Sequence, residues 1–340
     1  MRVLQVMAGA SQGGAETYFA DLVLALARAG LEQRAAIRTN ASRAALLGDG
    51  NIATTELKFG GLDFSTRRGL QRIIDDFRPD VVQTWMNRAT RHCPAGNFVH
   101  VGWLGGYYAP KYFTGCDHVV GVTQDIVDHM RSNGGWIGIN SYYLPTFAPN
   151  VPALPVPRAT FDTPEDVTLF LALGRLHTKK AFDILLESLA LIPGPYLWIA
   201  GEGPLEVVLK QQTEKLGLGD RVRFLGWRTD REALLGAADV CVMPSRFEPF
   251  GTVMVEAWGA KTPLIVADAD GPKRTVNPDV DAIMVPMDDV QALAAAMRRL
   301  IAEPDFAQAL VKGGYEHYQA KFNEDAVVKQ YLEFYSAITA

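Results

Sequence analysis

Cysteine is scarce in this 340-residue chain, and the three that occur, Cys93, Cys116 and Cys241, are odd in number and far apart. Neither a disulfide framework nor a zinc-ligand spacing fits them, so a reducing, intracellular setting is expected. Long apolar runs are missing too: no window approaches the ~18 consecutive apolar residues of a membrane span. The opening Met1-Arg2-Val3-Leu4 leads straight into a strand-like stretch and lacks the build of a signal peptide. Positive charge is not in excess. Lys and Arg number 33 against 38 Asp and Glu, a net charge of −5, which argues against a dedicated nucleic-acid binder. The G-x-G-x-x-G of dinucleotide binding is absent as well. The first glycine-rich turn reads Ala8-Gly9-Ala10-Ser11-Gln12-Gly13-Gly14, which speaks against a nicotinamide oxidoreductase. No internal repeat or low-complexity tract stands out.

What is present is ordinary globular composition, 48% hydrophobic and 21% charged, at a length that suits two domains of roughly 150 residues. Residues 1–150 hold 14 Lys and Arg against 12 Asp and Glu, a net of +2; the remainder holds 19 against 26, a net of −7. A mildly basic front half suits an anionic acceptor or an anionic membrane surface, and random scatter accounts for it equally well. Strand-like stretches at 3–7, 34–37, 81–83, 98–102 and 118–122 alternate with helical patterns, among them Phe19, Leu22, Val23 and Leu26 at i, i+3, i+4, i+7. Pro145, Pro149, Pro152, Pro155, Pro157 and Pro164 then crowd a stretch that continues neither helix nor central strand. It reads as a stiff linker. A second alternation follows, with strands at 167–172, 197–200, 222–225, 240–243 and 264–267. The pattern is α/β with a parallel sheet in each half, and ligands in such sheets bind beyond the carboxyl ends of the strands. The expected division is 1–148, a linker over 149–165, 166–314, and a terminal amphipathic helical segment over 315–340.

The segment 244–258 carries the strongest chemical signal. A strand feeds the loop Pro244-Ser245-Arg246-Phe247-Glu248-Pro249-Phe250, and a helix begins near Gly251. Free N–H groups and the positive dipole end of a helix make an anion site suited to a diphosphate. Gly251 permits close approach. Glu256 falls about one turn further in, placed to accept hydrogen bonds from ribose hydroxyls, and Glu248 precedes the helix on the sugar side. An E-x7-E pair alone is common on solvated helix faces. Here Glu256 stands between Val253-Met254-Val255 and Ala257-Trp258, where a charge needs a partner. The second signal is Leu173-Gly174-Arg175-Leu176-His177-Thr178-Lys179-Lys180, just after a strand. Arg175 and Lys180 are placed there to neutralise a departing diphosphate; solvated surface cations are the alternative.

Together with Gly201-Glu202-Gly203-Pro204, Val222-Arg223-Phe224-Leu225-Gly226-Trp227, Ala238-Asp239-Val240 and Glu256-Ala257, these motifs make the chain resemble the retaining glycosyltransferases of family 4. The resemblance covers nearly the whole chain and is strongest over 173–286. It implies a GT-B fold: two facing Rossmann-like domains with a cleft between them, acceptor on the first and donor on the second. It implies catalytic roles for Arg175 and Lys180 on the diphosphate and Glu248 on the donor sugar. Backbone amides near Phe250, Gly251 and Thr252 would contact phosphate or sugar, Glu256 the ribose, and residues 224–228 the base. Gly13 and Gly14 resemble the family's N-terminal Gly-Gly turn, with Glu16 on the acceptor side. Neither a metal nor a separate cofactor is implied, since cations and the helix dipole replace the divalent ion; no Asp-x-Asp precedes a metal-like cluster. The donor implied is a UDP- or GDP-sugar. The acceptor is a glycan or glycolipid such as a lipopolysaccharide core. The setting is cytoplasmic, with peripheral contact at the inner membrane face and no nucleic-acid partner. A GT-B protein that binds nucleotide sugar without turnover is the alternative.

Two departures stand out. Gly105 occupies the place of a histidine that family members often carry, and an acidic residue common after a glycine turn is replaced in Gly271-Pro272-Lys273-Arg274-Thr275. His100 lies inside a strand pattern, where a histidine is more often structural. The segment 105–117, with Tyr107, Tyr108, Lys111 and Tyr112, suits sugar faces and a phosphorylated acceptor, or equally the core aromatics of a helix start.

Overall fold

The computed structural model describes residues 1–11, 13–61, 63–132, 138–149 and 153–340; Gln12 of the first glycine-rich turn and residues 150–152 of the proline-rich stretch lie outside them. The chain divides into two units, Met1–Phe147 with Glu324–Ala340, and Ala148–Asn323.

Among the described residues, the first unit holds seven parallel strands: β1 (Arg2–Met7), β2 (Glu32–Arg38), β3 (Ala53–Leu57), β4 (Val81–Trp85), β5 (Val99–Leu104), β6 (His118–Gly121) and β7 (Asn140–Tyr143). Their order is β3-β2-β1-β4-β5-β6-β7. The helices that connect them are α1 (Gly14–Arg28), α2 (Ala41–Asp49), α3 (Phe64–Phe77), α4 (Met86–His92) and α5 (Gln124–Ser132). Phe19, Leu22, Val23 and Leu26 of α1 are all fully buried, as their spacing requires. α3 opens on Asp63, whose carboxylate accepts from the N–H groups of Ser65 and Thr66 and so caps the helix.

The core of this unit is not purely apolar. Gln5 Nε2 donates to Gln33 Oε1 at 3.1 Å, and Trp85 Nε1 donates to Gln5 Oε1 at 3.0 Å. The chain's last helix, Glu324–Thr339, completes the network: Tyr335 Oη donates to Gln83 Oε1 at 2.8 Å, and Tyr331 Oη accepts from Trp103 Nε1 at 3.2 Å. Buried polar side chains need such partners, and the final helix supplies one each to β4 and β5 as well as covering apolar surface.

The second unit repeats the plan with β8 (Leu169–Leu173), β9 (Tyr196–Ala200), β10 (Val222–Gly226), β11 (Val240–Met243), β12 (Leu264–Ala267) and β13 (Ile283–Val285), in the order β10-β9-β8-β11-β12-β13. Its helices are α6 (Phe182–Ala190), α7 (Glu206–Lys215), α8 (Arg231–Ala237), α9 (Thr252–Gly259), α10 (Asp270–Thr275), α11 (Val290–Ala302) and α12 (Pro304–His317). β8 and β11 are buried along their whole length, as central parallel strands covered on both faces are. In both sheets the strand order turns back beside the first strand, between β1 and β4 and between β8 and β11. The crevice outside the carboxyl ends at such a reversal is where open α/β sheets take their ligands.

Two expectations are corrected. The chain over 315–338 is not one helix. It is the end of α12, a π-helical turn at Tyr318–Phe322, and the last helix, now α13. Tyr318 and Phe322 are buried in the second unit, where Tyr318 Oη donates to Ala148 O at 2.9 Å and the Phe322 ring lies 5.9 Å from that of Trp258. Tyr331 and Tyr335 serve the first unit, so one amphipathic pattern covers two cores and the helix breaks between them. Of the stretch read as a linker, residues 153–165 belong to the second unit. Arg158 fastens them to it, donating to Ala237 O at 2.9 Å and Val167 O at 2.8 Å.

Candidate functional site

Both motifs singled out in the sequence meet at the β8/β11 reversal. β8 leads through Gly174 and Arg175 into a 3-10 turn, Thr178–Lys180, and on to α6; β11 leads through residues 244–250 into α9. The two loops are joined along their backbones, the N–H groups of Arg246 and Phe247 donating to Lys179 O at 2.9 and 3.2 Å. Arg246 locks them further. Its guanidinium donates to Thr178 O at 2.9 Å and as a fork to Asp183 at 2.9 and 2.7 Å. That carboxylate raises the pKa of Arg246 above its ordinary value. Lys179 Nζ stands 4.1 Å over the Phe247 ring.

Within this frame Lys180 forms an ion pair with Glu248, the two side chains being 22% and 13% exposed. Arg175 lies exposed on the same loop. Glu248 O accepts from Gly271 N at 2.8 Å, which brings the start of α10 beside the loop. Gly251 is the N-cap of α9 with φ 95° and ψ 64°, and no side chain caps the helix. Met254 N donates to Gly251 O at 2.9 Å, so the first-turn N–H groups turned to a ligand are those of Thr252 and Val253. Phe250 turns its ring inward, 6.0 Å from that of Phe322, leaving its backbone to the loop; Thr252 is the first, half-buried residue of the helix. Glu256 follows one turn on, buried, in an ion pair with Arg231 from the start of α8.

Gly251→Ala tests this geometry. A Cβ there would stand 3.0 Å from Met243 Cε, and left-handed backbone costs a non-glycine residue about 1–2 kcal/mol. The melting temperature of the variant is expected to fall by roughly 3–6 °C, with nucleotide affinity falling as well. Differential scanning calorimetry and nucleotide titration read the two effects.

Gly13 and Gly14 belong to the first unit, at the carboxyl end of β1. Gly13 caps α1, and Gly14 has open space where a Cβ would stand. Glu16 folds back over the turn, its Oε1 accepting from Ala10 N at 2.7 Å, so that a Cβ on Gly13 would run into its carboxylate. Arg43 Nη2 holds the turn from the other side through Ala10 O and Ser11 O, at 3.1 and 3.2 Å. His100 is structural in its contacts: Nε2 bonds Thr84 Oγ1 at 3.0 Å, Nδ1 bonds Gly115 O at 2.9 Å, and burial lowers its pKa. A Cβ on Gly105 would stand 2.7 Å from the Trp103 ring, so the tryptophan fills the space a side chain at 105 would need. In the 105–117 segment, Tyr107 hydrogen-bonds Asp125, Tyr108 packs 5.9 Å from Phe113, and Tyr112 has Lys111 and Arg91 at 5.1 and 5.7 Å from its ring. Among the described residues, no group of three His, Cys, Asp or Glu side chains is arranged to hold a metal, and no helix is long and apolar enough to cross a membrane.

Residues 157–317 match the family described as Glycosyl transferases group 1, and residues 12–137 match Glycosyltransferase Family 4. Over 98% of both chains, this one is 36% identical to the lipopolysaccharide core biosynthesis glycosyltransferase LpsD of Rhizobium meliloti strain 1021. The chain is a family 4 glycosyltransferase. A second relative of this glycosyltransferase is LpsE of the same strain, 32% identical over 94% of this chain and 95% of that one. The enzyme also superposes on Anabaena HepE, solved with UDP-glucose, with a TM-score of 0.84 over 99% of this chain and 100% of that one. At 19% identity the likeness is one of fold, the GT-B type with two Rossmann-like domains.

Two residues of the glycosyltransferase's candidate site escaped the sequence reading. Arg231, the partner of Glu256, lies 25 residues upstream of it. Its signal was indirect, since a carboxylate among apolar neighbours demands a cation from somewhere. Arg246, the clamp between the loops, stood within the motif but carried nothing to distinguish it from a surface cation.

Proposed function

We propose that this glycosyltransferase moves a sugar, with retention of anomeric configuration, from a UDP- or GDP-sugar to a lipopolysaccharide-core or related glycolipid acceptor. The observation that carries the reading is the Lys180–Glu248 ion pair beside the uncapped start of α9, which sets a cation, a carboxylate and free N–H groups together at the β8/β11 reversal. The donor's glycosidic C–O bond breaks, the bonding electrons leave with the diphosphate, and positive charge develops on the sugar. Arg175, Lys180 and the α9 N–H groups stabilise the departing charge, and backbone amides at Phe250, Gly251 and Thr252 hold phosphate or sugar. Glu248 contacts the sugar hydroxyls. A carboxylate already paired with Lys180 suits that role better than covalent attack. Glu256, braced by Arg231, takes the ribose. The acceptor hydroxyl then attacks from the face the diphosphate leaves, and its proton passes to the departing diphosphate oxygen. HepE's complex with UDP-glucose supports the donor class, and the names of LpsD and LpsE support the acceptor class.

A thermal-shift screen of UDP-, GDP-, ADP- and dTDP-sugars tests the donor. A ligand at 100 times its Kd stabilises the folded state by about 2.7 kcal/mol, so one nucleotide series is expected to raise the melting temperature by roughly 5–10 °C. No shift with any of them would remove the donor reading. Product NMR after transfer to core oligosaccharide reads the anomer, and an inverted product would sink retention. Transfer is expected to continue in EDTA.

A further inference from the structure

After the glycine turn that follows β12, where family members commonly carry an acid, this chain carries two cations in Gly271-Pro272-Lys273-Arg274-Thr275. The structure sets that stretch against the donor loop. β12 leads through Asp268 and Ala269 into α10, and Gly271 N donates to Glu248 O at 2.8 Å. The approach is close. A Cβ on Gly271 would stand 2.6 Å from Glu248 O and 2.7 Å from the Pro249 carbonyl carbon, so glycine is what lets the helix pack there. The start of α10 is therefore a wall of the loop that carries Glu248.

Gly271 and Pro272 are buried, whereas Lys273 and Arg274 are exposed. Arg274 is three positions beyond Gly271, on the same face of the helix. Helical side chains lean toward the amino end of their helix, which here is the end at the donor loop. Of the acids nearby, Glu248 is paired with Lys180, and Asp268 accepts from Met287 N at 2.9 Å. Asp270, exposed at the first position of α10, forms no ion pair with either cation. α10 itself carries Lys273 and Arg274 against Asp270, a net of +1. In the complex proposed above, the diphosphate takes up Arg175 and Lys180. Lys273 and Arg274 stand on the other side, where Glu248 meets the sugar.

We propose that α10 selects a donor whose sugar bears a carboxylate, a nucleoside-diphosphate hexuronic acid. Such a sugar differs from its hexose twin in one place, a carboxylate at C6 instead of a hydroxymethyl group. A guanidinium fork and an ammonium group bind a carboxylate through charge-assisted hydrogen bonds, about twice as strong as neutral ones. A hydroxymethyl group gains only the weaker kind. An acid at position 274 would do the reverse, accepting from neutral hydroxyls and repelling a carboxylate. The proposal rests on the reading of the α9 site as the donor site.

Titration calorimetry with three pairs of donors tests it: UDP-glucuronate against UDP-glucose, UDP-galacturonate against UDP-galactose, and GDP-mannuronate against GDP-mannose. In one pair the uronate is expected to bind about tenfold more tightly, and the advantage should shrink as salt rises. Arg274→Glu is expected to raise the Kd for that uronate about 100-fold, and Lys273→Ala about tenfold. Both variants should keep the wild-type melting temperature and hold the Kd for the neutral twin, and for free UDP or GDP, within about twofold. Equal affinity within every pair, or tighter binding of the neutral sugar, would overturn the proposal. So would variants that weaken both members of a pair alike, the mark of a structural effect. If free UDP and GDP bind and no pair discriminates, the hexuronic acid falls and the donor site stands. If neither nucleotide binds, the donor site falls and takes the proposal with it.

Discussion

Alanine at both Arg175 and Lys180 is expected to lower kcat by about 10³-fold or more. Fixed charge aimed at a departing group is commonly the largest catalytic contribution, and removal of one positioned donor costs about 10²–10³. The two residues differ in a way that makes the test informative. Arg175 is exposed, so Arg175→Ala should fold with the wild-type melting temperature and lose activity for chemical reasons alone. Lys180→Ala has a second consequence. It leaves the Glu248 carboxylate, 13% exposed, without its cation, which costs about 1–3 kcal/mol of stability. Single-turnover rates measured beside calorimetric melting separate the two contributions. A wild-type rate in the double variant would remove both residues from leaving-group stabilisation.

Glu256→Ala is expected to raise the Kd for the nucleoside diphosphate about 100-fold. Two hydrogen bonds to a carboxylate at about 1.5–3 kcal/mol each would license more, and solvent recovers part of it. Arg231 should change less when it loses this partner, because its side chain is 33% exposed and water can take over. The reverse substitution is harsher. Arg231→Ala leaves a carboxylate that is only 6% exposed without its guanidinium, so stability and nucleotide affinity should fall together. A double-mutant cycle read by titration calorimetry gives the coupling between the two. Nucleotide binding to Glu256→Ala at wild-type affinity would end the ribose assignment.

The sequence was most legible where local order is dense. The 240–256 run can be read as strand, loop and helix because apolar runs, Pro249 and Gly251 all fall within a few residues of one another. β8 and β11 are equally plain, being apolar throughout. The edge strand β3, Ala-Thr-Thr-Glu-Leu, was not visible, because an edge partly facing water needs no apolar alternation. The break between α12 and α13 was hidden for another reason. Helical spacing continues across it, and only the choice of core, Phe322 in one unit and Val327 in the other, forces the turn. Contacts distant along the chain are harder to read: Glu256 among apolar neighbours asks for a cation without pointing to Arg231, and the bond from Arg158 to Ala237 O leaves no local trace.

The return of α13 to the first unit bears on how the chain is made. Its N-terminal portion emerges first from the ribosome, yet the hydroxyls that satisfy Gln83 and Trp103 arrive only with residues 331 and 335. The second unit has all its residues before then, so the order of synthesis and the order of completion are reversed. A nascent chain stalled before Glu324 should expose the sheet of its first unit to chaperones while its second unit already resists protease. For the same reason, residues 1–147 expressed alone would lack the helix that closes their own core.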